Sequence, residues 1–547
     1  MSNSKFISCG ASHGGGGGVH ASASELRLTN TDFIRCSAVV QRETEGGGGV
    51  FATSTSKLHS SGCTFSSCNS SALGGGLAVY DSQAWIENNV FEQGYSLYGG
   101  GLAITESAEL SMSSSKFVSS SAVYSGGGFH VSQYSTAVIT GLGVEDCVSN
   151  EAGTDHLLDT YYGHGGGGAM IYQYNTVTIQ NSTFQRCHSF EGGGLYVKKS
   201  TLSLQASTIN SCWASGDGVV LENYDVMDDV CGGGGVLASS DSVLILDGTN
   251  VTNCSCVGEA NGGGLALYES DLKMNSSAVR GCFSKYGGGI FAGDTSSIDV
   301  EKSEVSDCQS KRYGGGVECY DSSYCYFYAT KFHSCTAGTL PIDYYYGYGG
   351  AINALNDYNN DDAGLYVEAC TFTMNTASYG GGVATYEASA QILSSTFASC
   401  NASVSGGALQ VYYGTADITS VTFQSCSSPL GGAIYVLDAT MAIQSSKLQD
   451  CTTASTSAIL MVDGGDVEEV TASATVESTL FSGNSNFDVG TENDGSLTCT
   501  ATCTTIGSYM YPQSCSRMAE ASCYDFTNSE DCTCNTYCES HHSDCKV

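Results

Sequence analysis

The sequence predicts an all-β solenoid, a parallel β-helix, and three observations predict it. A run of glycines recurs along almost the whole 547-residue chain. Ahead of each run stands an aromatic or β-branched residue, two spacers and usually a cysteine. Phe33 to Cys36 precedes the glycines at 46–49, Phe65 to Cys68 those at 74–76, and Phe184 to Cys187 those at 192–194. The aromatic/cysteine half has 17 copies, mostly 25–27 residues apart with some longer ones. A fixed period of that size marks stacked repeats, each burying its apolar face on its neighbours.

One repeat shows why. Three glycines lead into Leu77-Ala78-Val79-Tyr80, a short strand in which Leu77 and Val79 can face inward and Ala78 and Tyr80 outward. Asp81 and Ser82 form a polar corner, Ala84-Trp85-Ile86 a second strand, and Asn88-Asn89 the next corner. Val90-Phe91 opens the third strand. The expectation is therefore about 17 three-strand rungs stacked over residues 1–490, a rod roughly 80 Å long at ~4.8 Å per rung. The glycines supply positive φ and the absence of a Cβ at a sharp corner. A phosphate-cradling role is disfavoured, because no helix and no Lys-Ser/Thr follow them.

Gly406-Gly407-Ala408-Leu409, Gly431-Gly432-Ala433-Ile434 and the Phe-x-x-polar signature carry a resemblance. With them the chain resembles the repeats of chlamydial polymorphic outer membrane proteins and of secreted protist and algal β-helix proteins. The resemblance covers residues 1–490 and implies a right-handed parallel β-helix. In the chlamydial family the polar residue is usually asparagine. Here it is mostly cysteine, with Asn375 and Asn484 keeping the family residue. β-Helices host enzymes, adhesins and inert fibres alike, so the resemblance bears on architecture and not on activity.

Equivalent cysteines stand one above another, ~4.8 Å apart, within the Cα range of a disulfide. Cys254/Cys282, Cys308/Cys335 and Cys400/Cys426 are candidate vertical staples, and Cys63/Cys68 and Cys319/Cys325 are further candidate pairs. The alternative is an interior ladder of free thiols packed as small hydrophobes, because in-register Cβ atoms are spaced wider than the usual ~3.8 Å.

The formal net charge of −36 excludes a basic footprint for nucleic acid, and no apolar stretch is long enough to insert in a membrane. The 27 cysteines follow the repeat and not a zinc spacing, which places the chain in an oxidising, extracellular or cell-surface setting. Six N-x-[ST] sequons, at Asn69, Asn181, Asn250, Asn253, Asn275 and Asn401, fit a secreted glycoprotein. Phe6 and Cys9 already belong to a repeat, so the chain is expected to be a mature or truncated product.

The longer repeats carry their extra residues between the cysteine and the next glycine run, at 150–164, 216–231 and 337–348. One point in a repeat means one side of a solenoid. These loops share Asp155, Asp159, Tyr161 and Tyr162, then Glu222, Tyr224, Asp225, Asp228 and Asp229, then Asp343, Tyr344, Tyr345 and Tyr346. They are the candidate contact surface. An insertion at Asn356 to Asp362 sits at another corner. Tyr286, Tyr313, Tyr348 and Tyr379 precede four successive glycine runs, and Tyr80, Tyr172, Tyr268, Tyr320, Tyr386 and Tyr412 share a later position. Both sets are expected to stack.

No enzyme is expected. Gly163-His164-Gly165, the Asp228-Asp229 pair and Lys311-Arg312 are isolated and in the wrong order for a polysaccharide hydrolase or lyase. No cofactor is expected beyond calcium, for which Asp225, Asp228 and Asp229 offer oxygen ligands.

Beyond residue 490 the composition changes. Cys499, Cys503, Cys515, Cys523, Cys532, Cys534, Cys538 and Cys545 predict a small disulfide-rich module over 491–547, a cap for the solenoid. The first turn has no such cap, and an open edge there invites head-to-tail docking on a neighbour. The function expected is a structural extracellular glycoprotein, a building block of a surface fibre, a hair-like appendage such as a flagellar hair, or a wall layer. Its partners would be copies of itself or related fibre subunits. The alternative is an adhesin that binds glycans through the Tyr/Asp-rich loops.

Overall fold

The computed structural model describes residues 1–12, 14–40, 45–149, 165–216, 232–258, 260–321, 323–338, 347–356, 364–454, 456–462, 472–485, 487–492, 496–500 and 509–512. Every regular element among them is a β-strand, and every strand pairing in the two units is parallel. The chain is a right-handed parallel β-solenoid. It divides into two compact units, Met1–Lys285 and Tyr286–Val547. Stacking in the second unit continues past residue 490, with Ser496–Thr500 paired to Ser473–Glu477 and Tyr509–Pro512 paired to Phe487–Glu492. Cys499 lies in that first strand, and the remaining cysteines from Cys503 to Cys545 fall outside the described residues.

A turn in the first unit runs as a glycine-led strand Leu77–Tyr80, a second strand Gln83–Glu87, an aromatic strand Val90–Glu92 and a short strand Tyr95–Tyr98. The aromatic strand occurs 17 times among the described residues. The short strand is an addition to the three expected. The residues after the cysteine stay extended because the same residues one turn away offer them backbone partners, as in Asn69↔Tyr95 and Tyr95↔Ser121.

The pairing is in register, so each position of the repeat becomes a column. Phe6, Phe33, Phe65, Phe91 and Phe117 stack in the first unit with ring centroids 4.7–5.0 Å apart. In the second unit Phe332, Phe372, Phe397 and Phe423 stack at 4.3–5.1 Å. One rung of a parallel sheet is about the thickness of a ring, so rings on equivalent residues meet face to face.

The three glycines of a run have three separate reasons. Gly99 turns with φ +67°. A Cβ on Gly100 would sit 2.3 Å from Gly127 O and 2.4 Å from Ser121 O, both backbone atoms, and a Cβ on Gly101 would meet Phe117 Cδ1 at 2.6 Å. The run is where the chain passes closest to its own next turn and to the phenylalanine column.

Candidate functional site

The cysteines are one of three corner ladders. At each corner the turning backbone leaves an N–H directed toward the next turn, and a side chain there accepts it. Serines, threonines and asparagines do this at two corners. Ser135 N–H donates to Asn175 Oδ1 at 2.8 Å and Asn175 N–H to Ser200 Oγ at 3.2 Å, while Leu142 N–H donates to Ser182 Oγ at 3.0 Å. At the third corner Asn375 accepts Cys335 N–H at 2.9 Å and donates to Phe332 O at 3.1 Å. Asn484 accepts Cys451 N–H at 2.9 Å and donates to Leu448 O at 3.3 Å. Cysteine keeps the donor half of this pattern, with Cys68 Sγ on Phe33 O at 3.3 Å and Cys335 Sγ on Val305 O at 3.5 Å.

The vertical staples are therefore not formed. Cys254, Cys282, Cys308, Cys335, Cys400 and Cys426 are buried free thiols, in hydrogen-bond contact within their ladder as Cys308 and Cys335 are. Cys63 and Cys68 are also free, because Thr64–Ser66 carries them to different corners. The expected pair Cys319–Cys325 is bonded, joining two inward positions of neighbouring strands across a corner. Burial pushes Cys147 and Cys335 well above the ordinary thiol range, and Cys370 up to about 12. These three thiols are held protonated and pack as small hydrophobes.

The insertions leave from one corner in each unit. Ser149 and Gly165 bracket the first, Gly216 and Gly232 the second, both between short strand and glycine run of the first unit; Gly338 and Gly347 bracket the third in the second unit. The candidate contact residues Asp159, Tyr161, Tyr162, Glu222, Tyr224, Asp225, Asp228, Asp229, Asp343, Tyr344, Tyr345 and Tyr346 all lie outside the described residues, as do His164 and residues 357–362. Among the described residues no cluster of three or more histidines, cysteines or carboxylates is placed to hold a metal.

Beneath this corner each unit builds a small second core outside the coil. In the first unit Phe51, Leu73, Ala78, Tyr98 and Ala103 pack together, with Tyr80, Leu97 and Tyr124 against them. Further along, His130 is fully buried with Nδ1 3.0 Å from Ser125 Oγ, and burial lowers it to about 3. In the second unit the expected tyrosine column is present. Tyr286–Tyr313, Tyr313–Tyr348 and Tyr348–Tyr379 have centroids 5.3, 5.6 and 4.6 Å apart, and only the last pair lies flat. Arg312 is spent on this column, donating to Tyr286 Oη at 3.0 Å. The later set does not form a column: Tyr386 and Tyr412 meet edge to face at 5.1 Å, but Tyr80 stands opposite Thr105, Tyr172 opposite Ser132 and Lys198, Tyr268 opposite Ser239 and Tyr320 opposite Leu355, because these turns do not carry tyrosine consecutively.

Close to Tyr313 lies a residue that the sequence reading missed. Glu318 faces outward on its strand, opposite Phe291 on one side and Asn353 on the other, yet is 1% exposed. Asn353 Nδ2 donates to Oε1 at 2.9 Å, and Oε2 has no partner. Burial raises the carboxyl well above its ordinary 4.5 and outweighs the amide bond that lowers it. Its only signal in the sequence is a carboxylate where other repeats carry an apolar, amide or histidine residue.

The sign of the pH effect follows. Below pH 4.5 Glu318 is protonated in both states and costs nothing as a charge. As pH rises, the unfolded chain ionises while the folded chain holds its proton, so stability is lost between 4.5 and the raised value. Glu318→Gln is expected to be more stable than the parent at pH 7 and close to it at pH 4, measured by urea unfolding at both pH values. A parent advantage at pH 7 would contradict the protonated assignment.

The six sequon asparagines, Asn69, Asn181, Asn250, Asn253, Asn275 and Asn401, are all exposed.

Residues 1–143 and 212–397 match the family model described as "Right handed beta helix region". No curated protein matches the chain. Among solved structures it is similar to a periplasmic alginate epimerase AlgG, at 8% identity and a TM-score of 0.35, covering 74% of this chain and 77% of that one. It is also similar to the catalytic unit of a thermostable GH87 alpha-1,3-glucanase from Streptomyces thermodiastaticus strain HF3-3, at 11% identity and a TM-score of 0.24, covering 79% and 64%. Likeness at this level says nothing of activity.

Proposed function

We propose a structural role for this chain, which belongs to the family of right-handed β-helix proteins. It acts outside the cell as a glycosylated scaffold, a building block of a surface fibre, a hair-like appendage or a wall layer, in contact with copies of itself or related subunits. The observation that carries this reading is a segregation of asparagines. All six sequon asparagines are exposed. The buried ones, Asn89, Asn175, Asn353, Asn356 and Asn375, sit in no sequon. Glycans on the exposed six would leave the buried ladders untouched, as a chain that passes through a secretory pathway requires; the contacts they would meet are exposed ones, Asn253 Nδ2 to Asn210 Oδ1 and Asn275 Nδ2 to Asp247 Oδ1 of the adjoining turn. The ladders support the structural part, because they commit the aromatic, thiol and amide groups of each turn to its neighbours.

The test is secretion of the whole chain from a eukaryotic host, followed by peptide mapping before and after glycosidase treatment. Conversion of several of the six asparagines to aspartate is the expected result; six unmodified asparagines would defeat the glycoprotein reading. Electron microscopy of native material tests assembly, with filaments or sheets expected. A second reading, glycan binding at the loop corner, is supported by the tyrosine column of the second unit and gains if only single chains are seen.

A further inference from the structure

The chain has two tryptophans, and both are partly exposed: Trp85 at 39% and Trp213 at 37%. Each lies flat on a histidine of the preceding turn. His59 and Trp85 have centroids 4.6 Å apart and planes within 9°; His188 and Trp213 have centroids 4.6 Å apart and planes within 4°. On the other side the next turn places a serine opposite each indole, Ser111 for Trp85 and Ser255 for Trp213. One turn further the column becomes apolar again, with Val138 and Phe283. The same column, histidine–tryptophan–serine–apolar residue, thus occurs on two different sheets of the first unit.

Elsewhere in the chain a ring layer fills one rung, as the phenylalanine column does at 4.7–5.0 Å. A serine fills only part of that height. The far face of Trp85 therefore fronts a notch one rung high, floored by Ser111 and closed by Val138, which is itself 54% exposed. Its depth is that of the missing side chain, and its height, ~4.8 Å, is that of one stacked ring.

We propose that the Trp85 notch binds a pyranose ring of a neutral glycan. The rim decides between ligands. Gln83, Glu87, Glu109, Thr136 and Thr140 stand on the same three strands at the outward positions flanking the column, and Gln83 Nε2 donates to Glu109 Oε2 at 2.8 Å. A sugar ring presents apolar C–H faces to the indole and to Val138, and edge hydroxyls to carboxylate, amide and hydroxyl groups. A purely aromatic ligand leaves that rim unused. The net charge of −36 repels uronates and sulfated sugars, which leaves neutral ones. This site is on another face from the loop corner and stands whether or not the chain forms fibres.

The experiment uses the full chain carrying Trp213→Phe, so that Trp85 is the sole indole. It is titrated with hexaoses of glucose, N-acetylglucosamine and xylose while emission and acrylamide quenching are followed. The expected result is saturable protection of Trp85 by at least one hexaose. Adding Ser111→Tyr continues the ring stack, fills the notch and keeps Trp85; it should weaken binding about tenfold or more with no loss of thermal stability. Protection by none of the hexaoses overturns the proposal. So does binding that Ser111→Tyr leaves unchanged. Concentration-dependent protection without sugar would also overturn it, in favour of a second copy of the chain.

Discussion

Phe372→Ala is expected to destabilise the second unit by about 3–5 kcal/mol. Phe372 is fully buried and stacks on both faces, on Phe332 at 4.8 Å and on Phe397 at 4.3 Å, with planes within 6° and 3°. Alanine removes the ring and leaves a cavity that neither neighbour can enter, because each is fixed by its own strand register. Phe332 and Phe397 each lose a stacking partner as well. Denaturant unfolding followed by tyrosine fluorescence or circular dichroism checks this, and Phe372→Leu should lose clearly less. A loss below ~1 kcal/mol for the alanine variant would mean that the column does not hold the turns together.

Gly100→Ala is expected to be as damaging, for a reason that propensity alone does not give. The residue has no positive φ, so a glycine-to-alanine change would ordinarily be mild. Its Cβ would nevertheless lie 2.3 and 2.4 Å from two backbone oxygens, and backbone cannot move aside without opening the stack between turns. We expect a loss of about 3 kcal/mol or more, or no folded protein. The control is Gly143→Ala, on the aromatic strand, whose Cβ would meet nothing closer than the flexible Lys116 side chain at 3.5 Å. That variant should lie within ~0.5 kcal/mol of the parent, and comparable losses at the two positions would refute the steric account.

The legible part of this protein is what repeats. In-register stacking turns a residue's position in the repeat into a place on the surface or in the core. The phenylalanine columns, the glycine corner, the cysteine ladder and the origin of the insertions could therefore be placed from spacing alone. The Cys319–Cys325 bond was legible for a related reason, since six residues span only one corner. The three-strand turn was incomplete, because two-residue strands such as Asn69–Ser70 have no pattern of their own and exist through their neighbours. The vertical disulfides failed because stacking alone does not close the Cβ gap, and the thiols instead serve the adjoining backbone.

Sequence by itself determined the fold class and the columns, because each of these depends on local alternation repeated at a fixed period. Tertiary structure decided what stands next to what across turns of unequal length. Val148 pairs with His188 forty residues on, and Trp213 with Ser255 forty-two residues on, each across an insertion. It also decided that an outward strand position such as Glu318 is buried, since Tyr313 just ahead of the glycine run and Asn353 of the next turn stand against it. Burial of that kind is a property of several turns at once. No single repeat contains the atoms that produce it.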